Sequence, residues 1–189
     1  MPQSELLKRA VRFFEEAGIE WMLTGSLVSS LQGEPRATHD IDLVVELRAA
    51  DVPRLLREFS DDRFYISEES VRDAIAQRSM FNVLDTDEGD KIDFWLLTDE
   101  PFDASRFARR KIVDFEGLRI PVSAPEDTIL AKLRWCKMSG GSEKQFVDSL
   151  RVYEVQCGIL DSKYLQRWAE ELGLAELFTR LKDEAEPLE

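Results

Sequence analysis

Asp40 and Asp42 stand two residues apart in Asp40-Ile41-Asp42-Leu43-Val44-Val45, a run whose apolar and β-branched content marks a strand. Alternate side chains of a strand share a face, so both carboxylates project to one side while Ile41 and Leu43 turn into the core. Acids so placed suit two-metal phosphoryl transfer, in which two divalent ions sit about 3.5–4 Å apart and share carboxylate ligands. The competing reading is a solvated strand edge or a turn cap, which a chain with 38 acidic residues offers often. Gly25-Ser26 lies upstream at a strand-to-helix turn. There a glycine lets the backbone approach a phosphate, the helix N-terminus attracts its charge, and the serine adds a hydroxyl donor. A third acid, Asp93, interrupts the apolar strand Lys91-Ile92-Asp93-Phe94-Trp95-Leu96, where a carboxylate is costly to bury without a partner. Metal ligation explains it economically. The structural alternative places Asp93 on the solvent face of an edge strand, with Trp95 beside it.

The elements that must position these residues are legible in outline. Leu6, Leu7, Ala10, Val11 and Phe14 recur at helical spacing and Gly18 follows as a stop. Residues 19–24 read as a strand, the turn at Gly25-Ser26 leads into a second helix, and residues 33–39 form a polar loop before the Asp40 strand. Val52, Leu55, Leu56 and Phe59 make a third amphipathic helix, while residues 64–77 mix strand and helix character without resolving. Residues 80–84 and 91–97 read as a hairpin around an Asp- and Gly-rich turn, and residues 112–115 and 118–122 as a second one turning at Glu116-Gly117. Between the hairpins lies a short helix near residues 104–109. From Ser123 onward the pattern becomes helical. Ser123 and Glu126 have capping-box spacing, Pro125 suits a first turn, and Ile129, Leu130, Leu133 and Cys136 form a stripe. The loop 139–142 ends that helix, two or three more follow, and the acidic tail 183–189 reads as frayed. The expected division is an α/β unit over residues 1–122 and a helical portion over residues 123–189 packed on it.

Composition narrows the function further. A chain of 189 residues, 43% hydrophobic and 33% charged, is globular in character, and no apolar run approaches the roughly 18 residues of a membrane span. The N-terminus has no basic start followed by an apolar stretch, so the cytoplasm is the expected compartment. One histidine and two cysteines, Cys136 and Cys157, cannot build a usual zinc site, and both cysteines read as reduced packing residues. A catalytic metal must then be held by oxygen, which favours Mg²⁺ or Mn²⁺. The formal charge of −13 disfavours bulk nucleic-acid binding, which draws on Lys and Arg to neutralise phosphates.

Thr24-Gly25-Ser26, thirteen further residues, Asp40-Ile41-Asp42-Leu43 and a later strand with Asp93 together resemble the DNA polymerase beta-like nucleotidyltransferase superfamily. Within it, Arg36-Ala37-Thr38-His39-Asp40-Ile41-Asp42-Leu43 is similar to the signature of the minimal nucleotidyltransferases and AbiEii-type toxins. Residues 125–132 and 144–148 are similar to their downstream helical motifs. The resemblance implies an α+β fold, a nucleotidyltransferase-type mixed β-sheet flanked by helices with a helical C-terminal portion. It implies that Asp40, Asp42 and Asp93 are catalytic and hold two Mg²⁺ ions, Mn²⁺ being the substitute. Gly25, Ser26, Arg36, Thr38 and Lys132 would bind the NTP, ATP foremost, whose NMP passes to a hydroxyl of an unidentified protein, RNA end or small molecule with release of pyrophosphate. His39 stays outside the catalytic set, and Asp148 reads as a helix-surface acid. The protein partners it leaves open are a toxin–antitoxin partner and a second copy in a homodimer. The alternative function is a catalytically silent nucleotide-binding or regulatory module.

Overall fold

The computed structural model describes residues 2–38 and 40–186, the side chains of residues 2–4 excepted. His39 and the last three residues of the acidic tail lie outside the described residues. Along the chain run α1 (Pro2–Ala17), β1 (Trp21–Thr24), α2 (Gly25–Gln32), β2 (Asp40–Val45), a 3-10 turn at Ala49–Asp51 and α3 (Val52–Glu58). Next come β3 (Phe64–Tyr65), α4 (Glu68–Gln77), β4 (Met80–Asp85), β5 (Lys91–Leu96), α5 (Pro101–Ala108), β6 (Lys111–Phe115) and β7 (Leu118–Val122). The remainder is helical: α6 (Pro125–Met138), α7 (Glu143–Gln156), a 3-10 turn at Cys157–Ile159, α8 (Ser162–Glu171) and α9 (Ala175–Glu184). By proximity these form two compact units, one of Met1–Thr24 and Thr38–Val122, the other of Gly25–Ala37 and Ser123–Glu189. The short segment holding α2 thus groups with the C-terminal helices.

The first unit is built on a seven-stranded mixed sheet of order β3-β4-β5-β2-β1-β7-β6. β1 runs antiparallel to β2, β2 parallel to β5, and β4 antiparallel to β5 as the hairpin its turn residues predict. β6 and β7 pair across Glu116 and Gly117, which take φ of 51° and 79°. Two successive positive φ values give the tight turn the twist that matches its flanking strands. One sheet face is apolar: Leu23, Ile41, Leu43, Ile92, Phe94 and Val83 are fully buried. α1 covers it because its own stripe, Leu7, Ala10, Val11 and Phe14, recurs at helical spacing and is buried in turn. Phe14 meets Phe94 edge-on at 6.1 Å, and Phe94 stacks on Phe81 at 4.7 Å.

Several local expectations are refined. β1 begins at Trp21 rather than residue 19, since the amide of Ile19 is still donating to Phe14 of α1 beyond the left-handed Gly18. Residues 64–77 resolve into the two-residue β3 and α4, whose N-cap Ser67 accepts a hydrogen bond from Ser70. β5 is an interior strand rather than an edge.

In the second unit, α2 packs on α6 and α7, and α8 and α9 complete the bundle. The capping box expected at Ser123 and Glu126 does not form, because the N-cap is Ala124 and other partners engage both side chains. Ser123 hydrogen-bonds Thr128 at 2.7 Å, and Glu126 accepts the amide of Asp161 at 2.9 Å. Cys136 is buried in α6, but Cys157 is exposed in its 3-10 turn and is not a packing residue. Asp183 and Glu184, expected to fray, continue α9. Among the described residues no helix is long and apolar enough to cross a membrane.

Candidate active site

The face of the sheet opposite α1 carries Asp40, Asp42, Lys91 and Asp93. β2 and β5 lie side by side in a register that pairs Asp40 with Lys91, Asp42 with Asp93 and Val44 with Trp95. Thr24 of β1 is opposite Asp42, and Asn82 of β4 is opposite Asp93. Thr24, Asp42, Asp93 and Asn82 therefore make one polar row across four adjacent strands, each step about 4.8 Å. On one side of this row stand Asp40 and Lys91. On the other the face turns apolar, where Met22, Val44 and Phe107 of α5 form a cluster against which Trp95 and Leu97 pack. The gradient from charge to hydrocarbon follows directly from the period-two alternation of β2 and β5.

Asp93 is the buried acid of the group, 8% exposed. Its Oδ2 pairs with Lys91 Nζ at 2.8 Å, while its Oδ1 is buried and has no hydrogen-bond partner. Asp42 Oδ1 accepts the indole N–H of Trp95 at 3.4 Å. Asp40 is exposed at the start of β2, its Oδ1 3.5 Å from Lys91 Nζ, and its amide donates weakly to Thr38 Oγ1 at 3.4 Å. The hydrogen bond to Asp93 holds the Lys91 ammonium above its ordinary pKa, outweighing burial, with Asp40 adding to the effect.

As the side chains stand, no three acids among the described residues converge on one ion position. Lys91 lies between two of them. The donor set nonetheless fits a hard divalent cation: it is all oxygen, its two inner members sit on adjacent strands in register, and one buried carboxylate oxygen has unmet bonding capacity.

The second unit gathers a different set. Gly25 opens α2 with φ of 71°, a left-handed backbone that glycine adopts without the Cβ clash other residues suffer. Next to it, Ser26 Oγ accepts from Arg36 Nη2 at 2.9 Å and lies 3.3 Å from Lys132 Nζ. Arg36 grips Asp148 with both arms of its fork, at 3.0 and 2.8 Å, and Lys132 reaches the same carboxylate at 2.7 Å. Lys132 is 4% exposed, so its charge depends on that partner. Burial pushes the Asp148 pKa up, but the hydrogen bonds from Arg36 and Lys132 outweigh it and hold the carboxyl below its ordinary range. Two cations and a hydroxyl converging beside a glycine turn can receive a phosphate.

The predicted site residues thus fall into two groups. Asp40, Asp42 and Asp93 share one sheet face with Thr38 bonded at its rim, and Ser26, Arg36 and Lys132 share one hydrogen-bond network beside Gly25. Sequence reasoning missed Lys91 and Asn82 and set Asp148 on a helix surface, whereas it is 9% exposed at the centre of the network. The period-two rule that singled out Asp42 would have flagged Lys91, two residues from Asp93. Nothing local points to Asn82, whose position depends on hairpin register.

No family model and no curated protein sequence matches this chain. Solved structures do. The chain is similar to the antibiotic-resistance factor ANT(2″)-Ia in complex with adenylyl-2″-tobramycin, at 12% identity and a TM-score of 0.62 over 92% of this chain and 98% of that one. It is similar to the lincosamide antibiotic adenylyltransferase LnuA bound to lincomycin, at 15% identity and a TM-score of 0.53, covering 79% of this chain and 95% of the other. An antigenic nucleotidyltransferase-like protein from Paracoccidioides brasiliensis aligns at 16% identity and a TM-score of 0.52 over 92% of this chain and 88% of that one. The fold is therefore an α+β fold shared with these nucleotidyltransferase and adenylyltransferase structures.

Proposed function

We propose that this protein transfers the nucleoside monophosphate of an NTP, ATP foremost, to a hydroxyl of an acceptor and releases pyrophosphate. The observation that carries this reading is the in-register pair Asp42 and Asp93 with one buried, unpartnered carboxylate oxygen, in a sheet of nucleotidyltransferase fold. Asp40, Asp42 and Asp93 would hold Mg²⁺ or Mn²⁺, and the bound ions would supply Lewis-acid stabilisation of the charge that develops on the phosphoryl oxygens.

In the first unit, Asp93 Oδ1 takes the proton of the attacking hydroxyl as its oxygen bonds to the α-phosphorus. The bond from that phosphorus to the bridging oxygen of the β-phosphate breaks in line, and its electrons leave with pyrophosphate. Buried within β5, Asp93 keeps one orientation, which spares the reaction the entropy of aligning a base. Thr38 orients the start of β2. In the second unit, Ser26, Arg36 and Lys132 bind triphosphate oxygens, with Asp148 holding both cations in place until they arrive. Gly25 keeps that stretch of backbone free of a side chain.

Small-molecule, protein and RNA-end hydroxyls all stand as acceptor classes, and the drug acceptors of the similar enzymes put small molecules in the test. The protein would be incubated with each α-labelled NTP, Mg²⁺ and, in turn, whole-cell extract and a panel of polyhydroxylated small molecules. Label transfer with stoichiometric pyrophosphate is the expected outcome, abolished by Asp42→Asn. Absence of both, with all four NTPs, would move the reading to the silent regulatory module.

A further inference from the structure

Other buried acids of the two units meet structural partners, as Asp85 does with Arg63, Asp103 with Thr98 and Arg106, and Asp127 with Tyr164. Lys91 is different, because its ammonium is lodged among the very carboxylates that have other work to do. We propose that Lys91 is a positioning residue that stands in for a divalent cation between Asp40 and Asp93 in the metal-free protein, and that it sets the affinity at which an ion displaces it. This rests on the reading that these acids hold metal.

Three carboxylates on two neighbouring strands repel one another, and desolvation at Asp93 sharpens the repulsion. Lys91 answers it from within the same sheet face: its stem rises from β5, one row from Asp93, and its head bridges two strands by reaching Asp93 Oδ2 at 2.8 Å and Asp40 Oδ1 at 3.5 Å. An ammonium donates at hydrogen-bond length, whereas Mg²⁺ or Mn²⁺ approaches oxygen to about 2.0–2.2 Å. Both cannot hold the same two oxygens. The other oxygen of Asp93, Oδ1, is buried, unpartnered and on the same face, so the acids are neutralised only in part. A single positive charge against three negative ones leaves the place attractive to a second cation, at an affinity lowered by the competitor already present.

The test uses the whole chain and Mn²⁺ alone, titrated without nucleotide and read by electron paramagnetic resonance, with melting curves in chelator and in saturating Mn²⁺. Lys91→Met is expected to tighten Mn²⁺ binding at least tenfold. It should also lower the metal-free Tm and enlarge the rise in Tm on adding Mn²⁺. Lys91→Gln, which keeps a polar head beside the acids, should move affinity in the same direction, and Lys91→Arg should restore the wild-type Kd. A lysine serving only to hold the sheet together would lower Tm without tightening Mn²⁺. Unchanged or weaker Mn²⁺ binding in both Lys91→Met and Lys91→Gln overturns the proposal. The outcome for Asp42→Asn separates the two layers. If that variant abolishes Mn²⁺ binding while the Lys91 variants keep the wild-type Kd, only the role of Lys91 falls. If Mn²⁺ binding ignores Asp42→Asn, the metal reading falls with it.

Discussion

Asp93 combines burial, one satisfied oxygen and one unsatisfied oxygen, an arrangement costly to maintain unless something else arrives to use it. Replacing it by Asn removes the charge and one of the two carboxylate oxygens but keeps the shape. For Asp93→Asn, nucleotide binding measured by thermal shift with Mg²⁺ should survive largely intact, while label transfer falls by roughly 10²-fold or more, the scale of losing a positioned base. Transfer at the wild-type rate would show that the orphaned oxygen is incidental. Lys132 offers a contrast at the same scale, because its burial is offset by Asp148 and Ser26. Lys132→Met leaves Asp148 short of a partner and should cost about 3 kcal/mol in urea unfolding, as breaking a buried pair generally does. The same substitution should also weaken NTP binding, whereas Asp93→Asn should not.

Helix α2 shows how an element is held for a task. It is only eight residues long, too short to be stable from its own hydrogen bonds, so its position comes from packing on α6 and α7. Gly33 follows it directly and lies against the backbone of α7: a Cβ there would meet the amide nitrogen of Val152 at 2.9 Å and the carbonyl carbon of Arg151 at 3.0 Å. Backbone atoms cannot step aside as a side-chain tip can. Gly33→Ala should therefore push α2 away from α7 and cost about 1–3 kcal/mol, the usual range for overpacking. Because Ser26 lies in α2 and Arg36 follows it within the same unit, the variant should also raise the NTP concentration needed for half-maximal thermal shift. Normal stability of Gly33→Ala would show that the two helices are free to separate.

Across the whole molecule, acid is the condition that tests both units at once. Each holds a carboxylate whose folded pKa lies below its ordinary value. Asp85 in the first unit is lowered chiefly by its hydrogen bonds from Arg63. In the second, burial raises Asp148 but the Arg36 and Lys132 hydrogen bonds override it. A depressed folded pKa contributes stability that is fully present above the unfolded value, about 4, and is lost as pH falls through the folded one. Tm should hold from neutral pH to about 5 and drop steeply below about 4. Asp85→Asn and Asp148→Asn should each lower Tm at pH 7 and flatten that acid limb. An acid limb unchanged in both variants would assign acid unfolding to other carboxylates, of which a chain of net charge −13 has many.

What the sequence determined by itself is whatever local geometry dictates. Asp40 and Asp42 share a face because a strand has period two, Gly25 marks the strand-to-helix turn because glycine tolerates the left-handed φ found there, and α1, α3 and both hairpins follow from apolar spacing and turn chemistry. Lys91 belonged to the same rule and could have been read from it. Only the tertiary structure decided that Asp42 faces Asp93 across two parallel strands 51 residues apart in register, that Asn82 extends their row, and that Arg36 finds Asp148 at 112 residues' separation. Strand order and helix docking are chosen by which apolar faces can be buried together, and polar partners are then brought opposite one another as a consequence. Such choices leave no periodic trace near the residues they join, so a buried Asp148 bonded by two cations looks like any other acid on an amphipathic helix until the helices are packed.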